Sequence, residues 1–267
     1  MPNKRLGQHF LTDRNILQRI VDAVDPAPGD VVLEIGPGKG SLTDQLLARG
    51  LRVIAIEKDR RLAEELRCRV PGAGCQVVTG DALELDWHEL ASGQQASDTR
   101  HLFKIVGNIP YNITSPLLDK ALAPPLPARV VFLVQKEVAD RLTAGPGSKV
   151  YGALSVGVQA QCRVERLFAV PAGAFAPRPR VTSALVRLTP LAEPAVEPGE
   201  VPAFRAFVTA CFTRRRKQLR NIVMAVTGRS APAVTAGLRV LGLDPAARPE
   251  TLGPGGFARL LRWSVRL

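Results

Sequence analysis

The residues Asn108-Ile109-Pro110-Tyr111 combine groups that could hold a flat, amine-bearing ring. They follow the apolar run 103–107, which predicts a buried strand. Pro110 keeps Ile109 out of the helical region, and ligands of open α/β sheets bind at the carboxyl ends of strands. An amide, a rigid carbonyl and an aromatic face suit the amino edge and the face of a nucleobase. The alternative is a Pro-containing turn with a packed Tyr111, and these four residues taken alone slightly favour that alternative.

A glycine-rich loop, Gly36-Pro37-Gly38-Lys39-Gly40, follows another predicted strand. Gly36 permits a tight turn, while Gly38 and Gly40 allow close backbone approach of a ligand at a helix N-terminus. The third glycine comes one position too early for a dinucleotide fingerprint, and Lys39 is not followed by Ser or Thr as a phosphate loop requires. The loop therefore indicates a nucleotide-like ligand other than NAD.

Two acidic residues follow the next predicted strands. Glu57 lies 21 residues after Gly36, a spacing typical of an acid that accepts hydrogen bonds from ribose hydroxyls. A surface carboxylate paired with Lys58 or Arg60 is the alternative, and we favour the ribose role. Asp81 is placed either to accept a hydrogen bond from an adenine amine or to cap a helix, and the sequence leaves both interpretations open.

The elements that would position these residues alternate between strands and helices. Such alternation predicts a mostly parallel sheet with right-handed crossovers. Thr12 or Asp13 is expected to cap the first helix, Ser115 is expected to cap a helix that starts at Pro116, and 92–100 is expected to be a polar loop. The predicted strands are 31–35, 53–56, 76–78, 103–107, 130–134, 164–170 and 181–188; a further helix is predicted at 151–161.

Bulk properties exclude several classes of protein. The 267 residues are 46% hydrophobic and 22% charged, which is typical of a folded domain. No apolar run approaches the roughly 18 residues of a membrane span, and no secretory signal is expected in the first ten residues. The four cysteines and three histidines are scattered, which argues against zinc, disulfides and a Ser-His-Asp device and favours a cytoplasmic location.

Charge is concentrated near the C-terminus. Residues 201–267 contain 12 basic and 2 acidic residues, whereas 1–200 contain 24 and 22. The chain as a whole has a net charge of +12. A basic domain of this kind favours a nucleic-acid partner. Residues 190–202 are rich in Pro, Glu and Ala, so we predict a linker there, a first domain over 1–189 and a helical basic domain over 203–267.

Six segments together resemble the rRNA adenine N6,N6-dimethyltransferase family, in its bacterial small-subunit branch. The resemblance runs from about residue 4 to about residue 250. The segments are Gly7-Gln8-His9-Phe10-Leu11, the glycine loop with the preceding Glu34-Ile35, Asn108 to Ile113, Val134 to Val138, Phe175 to Ser183 and Arg214 to Asn221.

The resemblance implies a class I methyltransferase fold, Rossmann-like with a mostly parallel sheet, and a small all-α C-terminal domain. It implies S-adenosylmethionine as methyl donor and dimethylation of two adjacent adenosines near the 3′ end of small-subunit rRNA. The target adenine would meet Asn108, Ile109, Pro110, Tyr111 and Phe175, with both aromatic rings stacked on the base. The donor would be held by His9, Leu11, Gly36, Gly38, Glu57, Asp81 and Asn108.

The basic run Arg214-Arg215-Arg216-Lys217, with Arg220, is expected on a helix that contacts RNA phosphates, and Lys136 and Lys149 extend this set. The expected partner is rRNA in an immature 30S particle, bound by a monomer without membrane association. One alternative is a large-subunit rRNA methyltransferase of the resistance type; the basic run and the continuation 114–118 favour the small-subunit branch. A non-catalytic RNA-binding assembly factor is the other, against which the intact site residues argue.

Overall fold

The computed structural model describes residues 8–70, 72, 74–93 and 103–265. Leu6 and Gly7 of the N-terminal motif lie outside the described residues, as does most of the polar loop predicted at 92–100. Within the described ranges, no helix is long and apolar enough to cross a membrane. The same ranges contain no group of three or more His, Cys, Asp or Glu side chains that could hold a metal ion.

A mostly parallel sheet is the centre of the fold, which confirms the predicted fold class. The strands are β1 (Phe10–Leu11), β2 (Val31–Ile35), β3 (Arg52–Glu57), β4 (Cys75–Thr79), β5 (Lys104–Asn108), β6 (Arg129–Gln135), β7 (Cys162–Val170), β8 (Phe175–Ala176) and β9 (Ser183–Pro190). Seven of them form one sheet in the order β4-β3-β2-β5-β6-β9-β7. The pairs from β4 through β6 are parallel, and β9 is antiparallel to β6.

The register of this sheet brings the predicted site residues to one edge. Ile35 at the end of β2 is paired with Ile56 of β3 on one side and with Gly107 of β5 on the other. The next residues along the three strands are therefore Gly36, Glu57 and Asn108. The strand order also reverses at β2, which is where ligands bind in open α/β sheets.

Helices connect the strands and make up the C-terminal part. Asp13, Asp59 and Asp86 cap the helices that follow them, each accepting two backbone N–H bonds. The helix expected at Pro116 begins two residues earlier, with Ile113 rather than Ser115 at its N-cap. The helices are α1 (Arg14–Val24), α2 (Ser41–Ala48), α3 (Arg60–Arg69), α4 (Trp87–Ser92), α5 (Thr114–Ala121), α6 (Lys136–Leu142), α7 (Ala153–Gln159), α8 (Val201–Phe212), α9 (Leu219–Thr227), α10 (Ala231–Val240) and α11 (Pro254–Val265).

A second, two-stranded sheet ties the N-terminal segment to a distant part of the chain. Strand β1 is antiparallel to β8, with Phe10 opposite Ala176 and Leu11 opposite Phe175. The N–H of Thr12 extends this ladder by donating to the carbonyl of Ala174 at 2.9 Å. Two-residue strands leave no periodicity in a sequence, so this pairing was not predicted.

The chain divides into two compact units at other boundaries than those predicted. The first comprises Met1–Ala139 and Glu165–Pro190, and the second comprises Asp140–Val164 and Leu191–Leu267. Helix α7 belongs to the second unit because Tyr151 and Val156 pack in its hydrophobic core. The segment 190–202 is not a free linker, since Val196 and Val201 are buried in that same core.

Candidate active site

Three glycines shape the loop between β2 and α2. Gly36, Gly38 and Gly40 all have positive φ, at 68°, 56° and 74°, a region that side chains other than glycine's disfavour. A Cβ added at Gly38 would lie 2.8 Å from the ring of Phe10. The loop therefore presents bare backbone to the cavity beside it, with Phe10 packed against it.

Glu57 is buried, with 5% of its surface exposed, and its carboxylate is fixed by backbone donors. The N–H of Gly38 donates to Oε2 at 3.0 Å and the N–H of Asp59 donates to Oε1 at 2.8 Å. Burial raises the pKa of Glu57, against the effect of backbone hydrogen bonds from Asp59, Gly38 and Lys58. A carboxylate has about four lone-pair sites, so acceptor capacity is left for a ligand hydroxyl. Lys58 and Arg60, its alternative partners, pair with Asp81 and Glu64 instead.

Asp81 does not cap a helix, because residues 82–84 form a turn and the next helix, α4, is capped by Asp86. Its Oδ1 accepts the N–H of Leu83 at 2.9 Å inside this turn, and its Oδ2 accepts Lys58 Nζ at 2.5 Å. The hydrogen bond from Lys58 holds the pKa of Asp81 below its usual range. Asp81 also lines the cavity, so its carboxylate can reach a ligand amine from the rim.

Asn108 has its amide orientation set by the N-terminal segment. Its Nδ2 donates to the carbonyl of His9 at 2.6 Å, which leaves Oδ1 as the acceptor of this amide, and Asn108 lines the cavity. The following residue, Ile109, is buried, and its N–H donates to the carbonyl of Leu133 of β6 at 3.1 Å. The corner at Pro110 is thus attached to the sheet.

Tyr111 and His9 place two rings beside this amide. The rings are nearly parallel, at 24°, with centroids 6.1 Å apart. The tyrosine hydroxyl lies 2.7 Å from Ser183 Oγ, and partial burial raises the pKa of Tyr111. The Nδ1 of His9 donates to the carbonyl of Pro177 at 2.8 Å. His9 thus contacts Asn108 through its backbone and the 175–183 segment through its ring.

Phe175 is not the second aromatic wall that the resemblance implies. Its side chain is only 3% exposed and belongs to the hydrophobic core of the first unit, opposite Leu11 in the β1–β8 ladder. It does not line the cavity, whereas Tyr111 does. Strand β8 alternates between a buried Phe175 and an exposed Ala176, and this alternation turns the ring inward.

Sequence reasoning assigned no role to Glu34, although it lies in the glycine-loop motif. Glu34 lines the cavity, is 1% exposed, and accepts a 2.6 Å hydrogen bond from the hydroxyl of Thr43. Burial raises the pKa of Glu34 to about 8. A carboxylic acid inside an otherwise apolar strand was the signal that could have identified it.

These residues surround one cavity of about 240 Å³. We call Gly36, Gly38, Glu57 and Asp81 the donor half, because they would hold the methyl donor. We call Asn108, Ile109, Pro110 and Tyr111 the acceptor half, because they would hold the base that accepts the methyl group. Both halves line the cavity, together with His9 and Leu11. These residues fit S-adenosylmethionine. The glycine loop can lie against the amino-acid chain of the ligand, the buried Glu57 carboxylate can accept its ribose hydroxyls, and the Asp81 carboxylate can accept a hydrogen bond from its adenine amine. All of them belong to the first unit.

The predicted basic helix is wrong, since the run occupies the turn between α8 and α9. The N–H of Arg214 donates to the Cys211 carbonyl, and the N–H of Lys217 donates to the Arg214 carbonyl. These hydrogen bonds close short turns instead of continuing α8. The reason is that residues 213–218 offer no apolar side chain to the core. Arg214, Arg216 and Lys217 are exposed, as are Lys136 in the first unit and Lys149 in the second; Arg220 is half-buried in α9.

Arg215 differs from its neighbours in this basic turn. It is half-buried and faces Glu250 at 3.7 Å, and it donates to the carbonyl of Ser148 at 3.3 Å. Within the second unit it is therefore a structural residue. The remaining exposed cations of the run are the ones that could meet a phosphate.

The sheet order, the glycine loop and the carboxylates of Glu57 and Asp81 define a class I, S-adenosylmethionine-dependent methyltransferase. Comparisons with known proteins are more specific. The sequence profile of the family "Ribosomal RNA adenine dimethylase" matches residues 2–245, and the chain belongs to this family.

Relatives and solved structures agree with this assignment. The chain is 44% identical over 264 residues to "Ribosomal RNA small subunit methyltransferase A" of Nitratidesulfovibrio vulgaris, with 96% of this chain and 94% of that protein covered. It is 42% identical over 258 residues to the protein of the same name from Bordetella avium, with 96% and 93% covered.

Two solved structures are similar over nearly the whole chain. The 23S rRNA methyltransferase ErmE has a TM-score of 0.72 and 30% identity, and 96% of this chain and 100% of that chain are covered. A dimethyladenosine transferase from Plasmodium falciparum has a TM-score of 0.76 and 26% identity, with 94% and 96% covered.

Proposed function

We propose that this enzyme places two methyl groups on N6 of each of two adjacent adenosines near the 3′ end of small-subunit rRNA. The observation that carries the proposal is the orientation of Asn108. Because the His9 carbonyl holds Nδ2 and Asn108 lines the cavity, Oδ1 would be the atom that accepts an N6–H bond. The names of the curated relatives, at 42% and 44% identity, support the small subunit as the source of the substrate.

The chemistry follows from the acceptor half. The N6 lone pair of adenine is delocalised into the ring and is a poor nucleophile. Asn108 Oδ1 and the Ile109 carbonyl would accept the two N6–H bonds and localise the lone pair on nitrogen. The face of Tyr111 would stabilise the positive charge that develops there. No base is needed before transfer, because the proton becomes acidic afterwards.

The donor half would orient the methyl donor for in-line attack. When bound, S-adenosylmethionine supplies a sulfonium methyl group, which is electrophilic. Glu57 would accept the ribose hydroxyls and Asp81 the adenine amine, while Gly36 and Gly38 would lie against the chain of the ligand. His9, Leu11 and Asn108 would close the opposite side.

Substitution of Asn108 by Ala tests the proposal. We expect methyl incorporation from labelled donor into purified immature small subunits to fall by about 100-fold or more, since an acceptor aimed at developing charge is lost. Asn15→Ala, an exposed position on α1, is the matched control and should leave incorporation unchanged. Undiminished incorporation by the Asn108 variant would refute the assigned role.

Substrate RNA would be held by charge rather than by sequence. We propose that the exposed cations Arg214, Arg216 and Lys217, assisted by Lys136, Lys149 and Arg220, contact phosphates of an immature 30S particle. The enzyme would act there as a monomer in the cytoplasm. The association constant K for RNA falls as salt rises, and Arg216→Ala should make the plot of log K against log salt less steep by about 0.7 to 0.9. Arg215→Ala, at the neighbouring residue paired with Glu250, should instead lower the free energy of unfolding.

A large-subunit rRNA methyltransferase is the second candidate, because the similarity to ErmE spans the entire length of that chain. The chemistry would be the same on another RNA. Mapping dimethyladenosine by mass spectrometry on both rRNAs, after reaction with each subunit, separates the two. Modification confined to large subunits would overturn the small-subunit assignment. Absence of donor binding in calorimetry would instead favour a non-catalytic assembly factor.

A further inference from the structure

We propose that Ser183 is a positioning residue that fixes the Tyr111 ring in the orientation needed to receive the target adenine. The inference rests on the proposed function and assigns a role to the last residue of the 175–183 segment. It concerns how one face of the acceptor half is held before substrate arrives.

Tyr111 is restrained at both of its ends. Its main chain lies in the 3₁₀ turn Tyr111–Ile113, where Ile113 N–H donates to the Pro110 carbonyl at 3.1 Å. The hydroxyl of Thr114 donates to the Tyr111 carbonyl at 3.2 Å. The far end of the side chain is held by the 2.7 Å hydrogen bond between the phenol oxygen and Ser183 Oγ. A ring held at both ends loses little further freedom when a base stacks on it.

Ser183 is itself attached to a rigid part of the sheet. It is the first residue of β9 and is completely buried, with 0% of its surface exposed. It is paired with Gln135 at the end of β6, and the next ladder bond runs from Lys136 N–H to the Thr182 carbonyl at 2.9 Å. Ser183 is thus fixed to β6, the strand whose Leu133 carbonyl also holds Ile109 of the acceptor half.

The hydrogen bond also limits what Tyr111 can do. Tyr111 lines the cavity while its hydroxyl is engaged with Ser183 Oγ. Loss of the Ser183 hydroxyl would leave the ring chemically unchanged but free to rotate. Ser183 would therefore affect catalysis through Tyr111 alone.

The rates of single and double variants, measured with immature 30S particles as substrate, test whether Ser183 acts through Tyr111. We expect Ser183→Ala and Tyr111→Phe each to lower kcat/KM by about 5- to 10-fold, with calorimetric donor affinity unchanged, and the double variant to be no worse than the poorer single variant. Ser183→Thr keeps a hydroxyl and should restore most of the rate. Two independent effects would instead multiply to about 25- to 100-fold, and this result would overturn the proposal.

A direct readout of the ring is independent of activity. The chain has 2 tyrosines, so fluorotyrosine labelling gives two ¹⁹F resonances. Tyr151, fully buried with its hydroxyl bonded to the Leu252 carbonyl at 2.9 Å, is an internal control. Ser183→Ala should shift or broaden the Tyr111 signal, assigned with Tyr111→Phe, and leave that of Tyr151 in place. An unchanged Tyr111 signal would overturn the positioning role, whereas an inactive wild-type enzyme would refute only the proposed function.

Discussion

The donor half and the acceptor half of the cavity are held in place by different means. In the donor half, the Gly38 N–H fixes Glu57 across 19 residues of sequence. In the acceptor half, Asn108 is held by His9, 99 residues away, and Tyr111 by Ser183, 72 residues away. The donor half is therefore built from the consecutive elements β2 to β4, and the acceptor half depends on segments that only the complete fold brings together.

This difference explains which mutations should act on which step. A change in the donor half acts on local backbone and should alter affinity for the donor. A change in the acceptor half disturbs the orientation of an amide or a ring, and should lower the rate of methyl transfer more than it lowers binding.

Asn108→Asp is expected to have the largest effect. The variant keeps the shape of the side chain and the Oδ1 acceptor but replaces the Nδ2 donor by a second oxygen, which cannot donate to the His9 carbonyl, so the carboxylate loses its orientation and faces another oxygen. We expect the single-turnover rate of methyl transfer to fall by about 100-fold, nearly as far as in Asn108→Ala.

The activities of Asn108→Asp and Asn108→Ala distinguish the orientation of the side chain from the mere presence of an acceptor oxygen. If acceptor atoms alone matter at this position, Asn108→Asp should be as active as the wild type and far more active than Asn108→Ala. That outcome would remove the His9 carbonyl from the list of determinants of catalysis, and it would weaken the contrast between the two halves.

The limits of sequence-based prediction follow the same division. Gly36, Glu57 and Asn108 could be brought together from sequence, because each follows a strand and neighbouring parallel strands end at one edge. The supports of Asn108 and Tyr111 could not be predicted, because the pairing of β1 with β8 involves only two residues on each side. Phe175 was assigned to the wrong environment for this reason, since the motif does not say which face of a short strand is buried.

Charge and composition misled in the second unit. The run of basic residues predicts a helix, but a helix needs an apolar stripe to pack against the core, and residues 213–218 have none. The segment 190–202 resembles a linker in composition, yet Val196 fills the core. The average composition of a sequence segment does not reveal such isolated apolar contacts.

Gly38→Ala should have the next largest effect and should act on the donor half. The added Cβ meets the Phe10 ring at 2.8 Å, in addition to the cost of a positive φ. Gly50→Ala is the matched control, since Gly50 has a φ of 73° but nothing within 4 Å of an added Cβ. We expect donor affinity, measured by calorimetry, to fall by about 10-fold in the first variant and to stay unchanged in the second. Equal affinities in the two variants would show that the contact with Phe10 has no influence on the loop.

The smallest expected effect concerns the buried acid of the cavity, Glu34, and appears in stability. Its pKa is about 8 in the folded protein, against an ordinary value of 4.5, because burial disfavours the charged form. Between these two values the folded state binds more protons than the unfolded state. The free energy of unfolding must therefore decrease as pH rises from about 5 to 8, and level off above that range.

Glu34→Gln removes this titration while keeping an oxygen that can accept the Thr43 hydroxyl. Urea unfolding across the pH range should show the variant gaining about 2 kcal/mol relative to the wild type between pH 6 and 8. The raised pKa of Glu57 acts in the same direction in both proteins, and only its electrostatic coupling to Glu34 enters the difference. A stability difference that stays constant with pH would mean that Glu34 is ionised in the folded protein, and that the cavity holds a permanent negative charge at this residue.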